Sequence, residues 1–201
     1  MNAQVYIEGG GNNSKELHIR AREGFRKLLE KLELARMPGL TACGSRNNTF
    51  EDFQKAHGAK KPGDYIALLV DSEEPVKNIQ RPWEHLSACD NWNQPVGTND
   101  DQVFLMTTCM ETWIAADHET LKAHFGQKLQ ESALPPLFKL EERSRYDVQD
   151  RLEHATRICP GPYRKGKRSF EVLGKLKSST LSQHLPSFAR MIKILKAKLK
   201  A

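Results

Sequence analysis

The stretch Tyr65-Ile66-Ala67-Leu68-Leu69-Val70, followed at once by Asp71-Ser72-Glu73, decides how this chain is read. An apolar run of strand length without alternation marks a strand covered on both faces, the cover that crossover helices give a parallel sheet. The turn Lys61-Pro62-Gly63-Asp64 sets its start. A second run of this kind, Gln102 to Thr107, and two shorter β-prone segments, Gln4 to Ile7 and Leu40 to Cys43, supply the other strands. Helical patterns lie between them. Leu17, Ala21, Phe25, Leu28 and Leu32 recur every three or four residues behind Ser14, one face of a first helix. Thr49 with Asp52 resembles a capping box for a helix over Phe50 to His57, and Pro82 opens another.

Alternating strands and helices imply parallel β-α-β units with right-handed crossovers, so the fold class is α/β. Residues 1–130 read as the α/β core and residues 131–201 as a helical, basic C-terminal extension packed on it. Met110 to Asp117 reads as a helical turn. Asp117 then caps a helix over His118 to Phe125, which Gly126 ends. Further helices are expected over Tyr146 to Thr156, Ser169 to Leu176 and Pro186 to Leu199. In the last, Phe188, Met191, Ile192, Leu195 and Leu199 form an apolar stripe that must pack on something.

Glu8 follows the first strand and precedes Gly9-Gly10-Gly11; Asp71 and Glu73 follow the third. Functional groups of open parallel sheets gather beyond the carboxyl ends of the strands, where strand order reverses. Either motif alone is an ordinary cap or turn. Together they deliver carboxylates to one edge, and magnesium takes one or two carboxylates plus water and phosphate oxygens. The chemistry that follows is phosphoryl transfer or phosphodiester hydrolysis, with Glu8 as a ligand or as general acid or base.

Composition narrows the class. Of 201 residues, 38% are hydrophobic and 28% charged, the balance of a globular protein. No apolar run nears the ~20 residues of a membrane span, and the start lacks a signal-peptide pattern, so a cytoplasmic place away from membranes is expected. Cys43, Cys89, Cys109 and Cys159 form no C-x-x-C pair, which argues against a zinc ribbon or a disulfide framework. The net charge of +6 is uneven: Arg164 to Lys200 holds eleven bases and one acid, so the rest of the chain is net acidic. That basic part suits nucleic acid or an acidic protein surface, although a solvated helix face is the plainer account.

The pattern resembles the Toprim fold of topoisomerases, DnaG-type primases and overcoming-lysogenization-defect nucleases, with a glutamate-glycine pair after the first strand and D-x-D after the third. Ile7-Glu8-Gly9 matches the first element; Asp71-Ser72-Glu73 matches the second with Glu for the final Asp, a departure that puts strict two-metal catalysis in doubt. Met110-Glu111-Thr112-Trp113-Ile114-Ala115-Ala116-Asp117 is similar to the M-E-x-W-[IL]-x-A-D signature of a bacterial Toprim-like family, the domain-of-unknown-function family 4276. Tyr163-Arg164-Lys165 fits its downstream Tyr-x-Lys.

The resemblance implies a Toprim-like nuclease using Mg2+ or Mn2+, with Glu8, Asp71 and Glu73 as metal ligands and Glu111 assisting as a catalytic residue. It also implies an ABC-type ATPase partner in bacterial anti-phage or anti-plasmid defence. Arg164, Lys165, Lys167 and Arg168 are the candidates for nucleic-acid phosphate contact. The alternative is a catalytically weak regulatory or binding subunit, with the stripe of the last helix docking on an ATPase or on a second copy as a homodimer. Gly9 to Lys15 is not a P-loop, since Ser14 stands where the second glycine belongs and Glu16 follows the lysine. The seven histidines show no ligand spacing, and His18, just behind the glycines, reads as a surface residue, with a place facing the acidic edge as the alternative.

Overall fold

In the computed structural model, which describes residues 2–11 and 14–200, strands β1 (Ala3–Glu8), β2 (Gly39–Gly44), β3 (Tyr65–Asp71) and β4 (Val103–Met106) form one sheet. The order is β2-β1-β3-β4 and every pairing is parallel. The chain is therefore α/β, with helices on both sheet faces. Asn12 and Asn13 of the glycine loop lie outside the described residues.

The pleat sorts β3 between two cores. Tyr65, Ala67 and Leu69 join Val5, Ile7, Phe104 and Met106 on one face; Ile66, Leu68 and Val70 join Val103 and Leu105 on the other. This is why all of β3 is buried and why its sequence shows no alternation. The second face is closed by α2 (Arg46–Gly58) and α3 (Pro82–Asp90), through Phe50, Phe53 and Trp83, and by Trp92 just beyond α3. Phe50 stacks on Trp92 with centroids 4.2 Å apart. The first face carries α1 (Lys15–Glu30), α4 (Met110–Ala115), α5 (His118–Phe125), α6 (Arg145–Thr156), α7 (Lys167–Leu173), α8 (Ser178–His184) and α9 (Pro186–Lys198).

Several local expectations shift. The α2 cap is Ser45, whose side chain accepts from the Asn48 amide, and α2 starts four residues before the expected Phe50. Thr49 lies inside the first turn, donating its hydroxyl to the Ser45 carbonyl at 2.7 Å. The helix expected over Ser169 to Leu176 runs from Lys167 to Leu173, with Gly174 as its C-cap. α8 was not expected, because among its polar residues only Leu181 reaches the core.

The stripe of the last helix finds its cover at home. Phe188, Met191, Leu195 and Leu199 are buried, Phe188 meeting Trp113 edge-on at 4.8 Å, so this face is closed to an ATPase or a second copy. α7 lies so close on α1 that a Cβ on Gly24 would stand 2.5 Å from the Phe170 carbonyl oxygen. Arg190 of α9 donates to the carbonyls of Val103 at 2.8 Å and Asp100 at 2.6 Å, tying the C-terminal part to β4. Among the described residues no helix is long and apolar enough to cross a membrane.

Candidate functional site

The strand order dictates where the acids go. β1 is followed in space by β2 on one side and β3 on the other, so connections diverge between β1 and β3 and a crevice opens at their carboxyl ends. Glu8 ends β1 and Asp71 ends β3. Against β2 the register slips: Ile7 faces Ala42 but Glu8 faces Gly44, leaving Cys43 as an extra residue. Such a bulge re-aims the side chain beside it. The Glu8 carboxylate crosses to β3 and accepts the Asp71 backbone amide at 3.0 Å.

Beyond β3 the chain is held against β4. The Ser72 amide donates to the Met106 carbonyl at 3.1 Å and the Glu73 amide to the Thr108 carbonyl at 2.9 Å. Glu73 has a left-handed backbone (φ 65°), which turns its side chain back toward the edge. One carboxylate oxygen from each of Glu8, Asp71 and Glu73 lies within 4.8 Å of the other two. One Asp71 oxygen, Oδ1, is buried without a hydrogen-bond partner among the described residues. A buried carboxylate oxygen without a donor is costly, and a cation is the partner its chemistry invites.

Cations already flank the cluster. Arg46, at the start of α2, pairs bidentately with Asp90 at 2.9 and 2.6 Å, donates to the Asp71 carbonyl and stands 3.7 Å from Glu8. Arg145, at the start of α6, forms an ion pair with Glu73. Lys165 lines the same cleft as Glu8 and Asp71. Glu111 is fully buried behind it, taking the Tyr163 hydroxyl at 2.8 Å and the Gln149 amide at 3.2 Å.

Burial pushes the Glu8 carboxyl up from its ordinary value, against the pull of Arg46 and the Asp71 amide. The Asp71 carboxyl is pushed well up, first by burial and then by the neighbouring charges of Glu8 and Glu111. At Lys165 burial acts downward, but Glu111, Asp71 and Glu8 outweigh it and hold the ammonium charged. The Tyr163 phenol is raised by burial and by Glu111, so it stays a donor. The cysteines are free thiols, three buried and Cys89 exposed; burial pushes Cys43 up to about 12, where it is inert.

The acids open into a cleft of about 360 Å3, walled by Gly9, Gly10, Gly11, Leu17, Met106 and Met110, with Phe170 and Lys165 at the C-terminal side. Gly10 (φ 93°) admits no side chain: a Cβ there would lie 2.6 Å from His18 Cδ2. His18 Nε2 also reaches the Gly11 carbonyl, so this histidine shapes the glycine loop, which a surface reading misses. Of the expected phosphate contacts, Lys165 lies with the acids. Arg164, Lys167 and Arg168 line an adjoining recess with Gly161 and Pro162. Arg168 there donates to the Pro162 carbonyl at 3.1 Å, and Lys167 stands 3.7 Å from Glu16.

Asp117 does not join the cluster. Its carboxylate caps α5, accepting the Thr120 amide at 3.1 Å and hydroxyl at 2.7 Å, and takes the Lys177 amide at 2.8 Å. Sequence reasoning missed Arg46, Arg145 and Gln149. Arg46 follows β2 directly, so the edge rule that found Glu8 also points to it. Arg145 and Gln149 carry no local signal, since only the packing of α6 brings them to the acids.

Fold and site together define an α/β protein with carboxylates gathered at the switch point of a parallel sheet. The chain belongs to the family described as Domain of unknown function (DUF4276), whose model matches residues 15–196. The match takes in Asp71, Glu73, Glu111 and Lys165 and begins after Glu8. Neither the curated proteins nor the solved structures contain a match to the chain.

Proposed function

We propose that this chain is a Toprim-like nuclease that hydrolyses phosphodiester bonds of DNA or RNA with Mg2+ or Mn2+. The observation that carries the reading is the meeting of Glu8, Asp71 and Glu73 within 4.8 Å, together with a buried Asp71 oxygen that has no hydrogen-bond partner among the described residues. Oxygen-only donors at a strand edge fit a hard divalent cation and not zinc. When bound, such an ion supplies charge neutralisation at the phosphate and polarises it toward attack.

The chain's own groups do the rest. Glu8 and Asp71 would hold the ion, with Glu73, paired with Arg145, as the third carboxylate of the set. Lys165, kept charged by the surrounding acids, meets the non-bridging phosphate oxygens. Should Asp71 and Glu73 alone hold the ion, Glu8 would instead serve as general acid or base toward the attacking or leaving oxygen. Glu111, clasped by Tyr163 and Gln149, fixes Lys165 electrostatically, and Arg164, Lys167 and Arg168 extend a path for the phosphate backbone. An ABC-type ATPase partner and a role in bacterial defence against phage or plasmids rest on the Toprim-like resemblance alone.

A second reading is a regulatory subunit with weak catalysis. The observation favouring it is the ion pair that Arg145 makes with Glu73, in a position where Toprim sequences carry aspartate. Isothermal titration with Mg2+ and Mn2+, followed by cleavage assays on single- and double-stranded DNA and RNA, separates the two. The nuclease reading expects cutting that needs the metal and vanishes in Glu8→Ala and Asp71→Ala. Equal cutting by the wild type and both variants removes it. Metal uptake without cutting selects the regulatory reading.

A further inference from the structure

The first turn of α6 brings an aromatic ring to the acidic edge. Arg145 bridges the two: one guanidinium nitrogen pairs with Glu73, and the other donates to the Tyr146 hydroxyl at 3.1 Å. The guanidinium carbon lies 5.0 Å from the centre of the Tyr146 ring. A cation over a ring face is attractive and holds the ring in one orientation. Tyr146 is nevertheless 61% exposed, unlike the aromatics of the two cores. Water gains nothing from a large ring fixed in place, whereas a flat partner would.

The surroundings say which partner. Glu73 places the ring's neighbour in the metal-ligating cluster, and the adjoining recess is lined by Arg164, Lys167 and Arg168, so a polyanion is favoured nearby. The cleft is about 360 Å3, at the small end of ligand pockets and suited to one nucleotide, not to a helix. In a duplex the base faces are occupied by their stacked neighbours; an unpaired base has a free face for an aromatic side chain.

We infer that Tyr146, clasped by Arg145, is a stacking platform for an unpaired nucleobase next to the acidic cleft, so that the substrate is single-stranded nucleic acid or a single-stranded end. The platform rests on the nuclease reading only for the phosphate beside it. Arg145 serves both parts. As long as it pairs with Glu73 it holds the ring, and once Glu73 turns to a cation the guanidinium is left free for the phosphate of the stacked nucleotide.

The test is fluorescence anisotropy with labelled oligothymidylate and with a duplex, in Ca2+ to slow cutting, for wild type, Tyr146→Ala and Tyr146→Phe. Mn2+ binding is titrated in parallel on the same proteins and on Asp71→Ala. Expected are a preference of the wild type for the single strand and a loss of roughly 5- to 100-fold in Tyr146→Ala, the range of one base stacked on an aromatic. Tyr146→Phe should keep wild-type affinity, and neither tyrosine variant should alter Mn2+ binding. Because the ring is exposed, both variants fold.

Equal binding by wild type and Tyr146→Ala, equal losses in the Phe and Ala variants, or a preference for duplex overturns the platform and leaves the metal reading intact. Unchanged Mn2+ binding in Asp71→Ala strikes the metal reading, while the platform still stands on its own binding data. Failure of the wild type to bind either nucleic acid removes the platform and the nuclease reading, and the metal site is then judged by the Mn2+ titration alone.

Discussion

Two regions of this molecule bury an aspartate at the end of a secondary-structure element and treat it in opposite ways. At the joint between α5 and α8, Asp117 accepts two hydrogen bonds from Thr120 and one from the Lys177 amide. At the carboxyl edge of the sheet, Asp71 keeps one oxygen with no donor among the described residues and faces the charges of Glu8 and Glu111. The first arrangement is what a fold needs from a buried carboxylate. The second costs the fold free energy, and it persists where a ligand supplies what the protein withholds. Burial alone therefore does not distinguish a structural acid from a functional one; the tally of donors does.

The contrast breaks most sharply in activity. Glu8→Ala or Asp71→Ala should lower metal-dependent cleavage by at least about 100-fold, the order seen when one charge-stabilising group leaves an active site. Asp117→Ala, read by thermal melting of the protein, should leave the cleft chemistry in place and destabilise the fold by on the order of 3 kcal/mol. It strips a helix cap and leaves three donors without an acceptor. A large loss of cleavage in a still-folded Asp117→Ala protein would erase the distinction.

Glu141 is the intermediate case and sharpens the scale. Its carboxylate takes the Ser187 amide at 3.2 Å and the Ser187 hydroxyl at the start of α9, yet burial outweighs these bonds and lifts it from 4.5 to about 7. A raised acid keeps its proton longer in the folded than in the unfolded chain. Its contribution is full below pH 4.5 and is lost as pH climbs to about 7. Between those limits the wild type should lose on the order of 2 kcal/mol that Glu141→Gln does not, measured by urea unfolding at several pH values.

The smallest effect belongs to Asp71→Asn. Asp71 is pushed above its ordinary 3.8 by burial and by like charge, so in metal-free buffer stability falls as pH rises past that value. The Asn variant should melt a few degrees above wild type at pH 7 without metal, with the advantage gone near pH 4. Adding Mg2+ should raise the wild-type melting temperature and leave the variant unmoved. An Asn variant that melts lower than the metal-free wild type would place Asp71 beside Asp117 as a structural acid.

Much of this contrast could be read from the chain itself, but not all. Glu8, Asp71 and Glu73 were legible because each follows a β-prone run, and a parallel sheet sends every such residue to one edge. Asp117 was legible as a cap because it directly precedes the helix from His118 to Phe125, which Gly126 closes. Arg145, Tyr146 and Gln149 were not. They reach the acids through the docking of α6, and their sequence surroundings look like any polar helix. Likewise the stripe of α9 announced a contact without naming the partner, which proves to be Trp113 of the same chain.

What the sequence by itself determined is local and periodic: four parallel strands, the helices between them, the caps at Ser14 and Asp117, and the acids at the strand ends. Those follow from backbone preference and from the alternation of apolar residues over a few turns or pleats. Tertiary structure alone decided which charges face one another: that Asp71 is left short of a donor among the described residues, that Arg145 takes Glu73 and presents Tyr146, and that Lys165 stands between the acids and the adjoining recess. The reason is distance. An electrostatic partner is chosen by closeness in space, and closeness between residues far apart in the chain is set only when the helices dock.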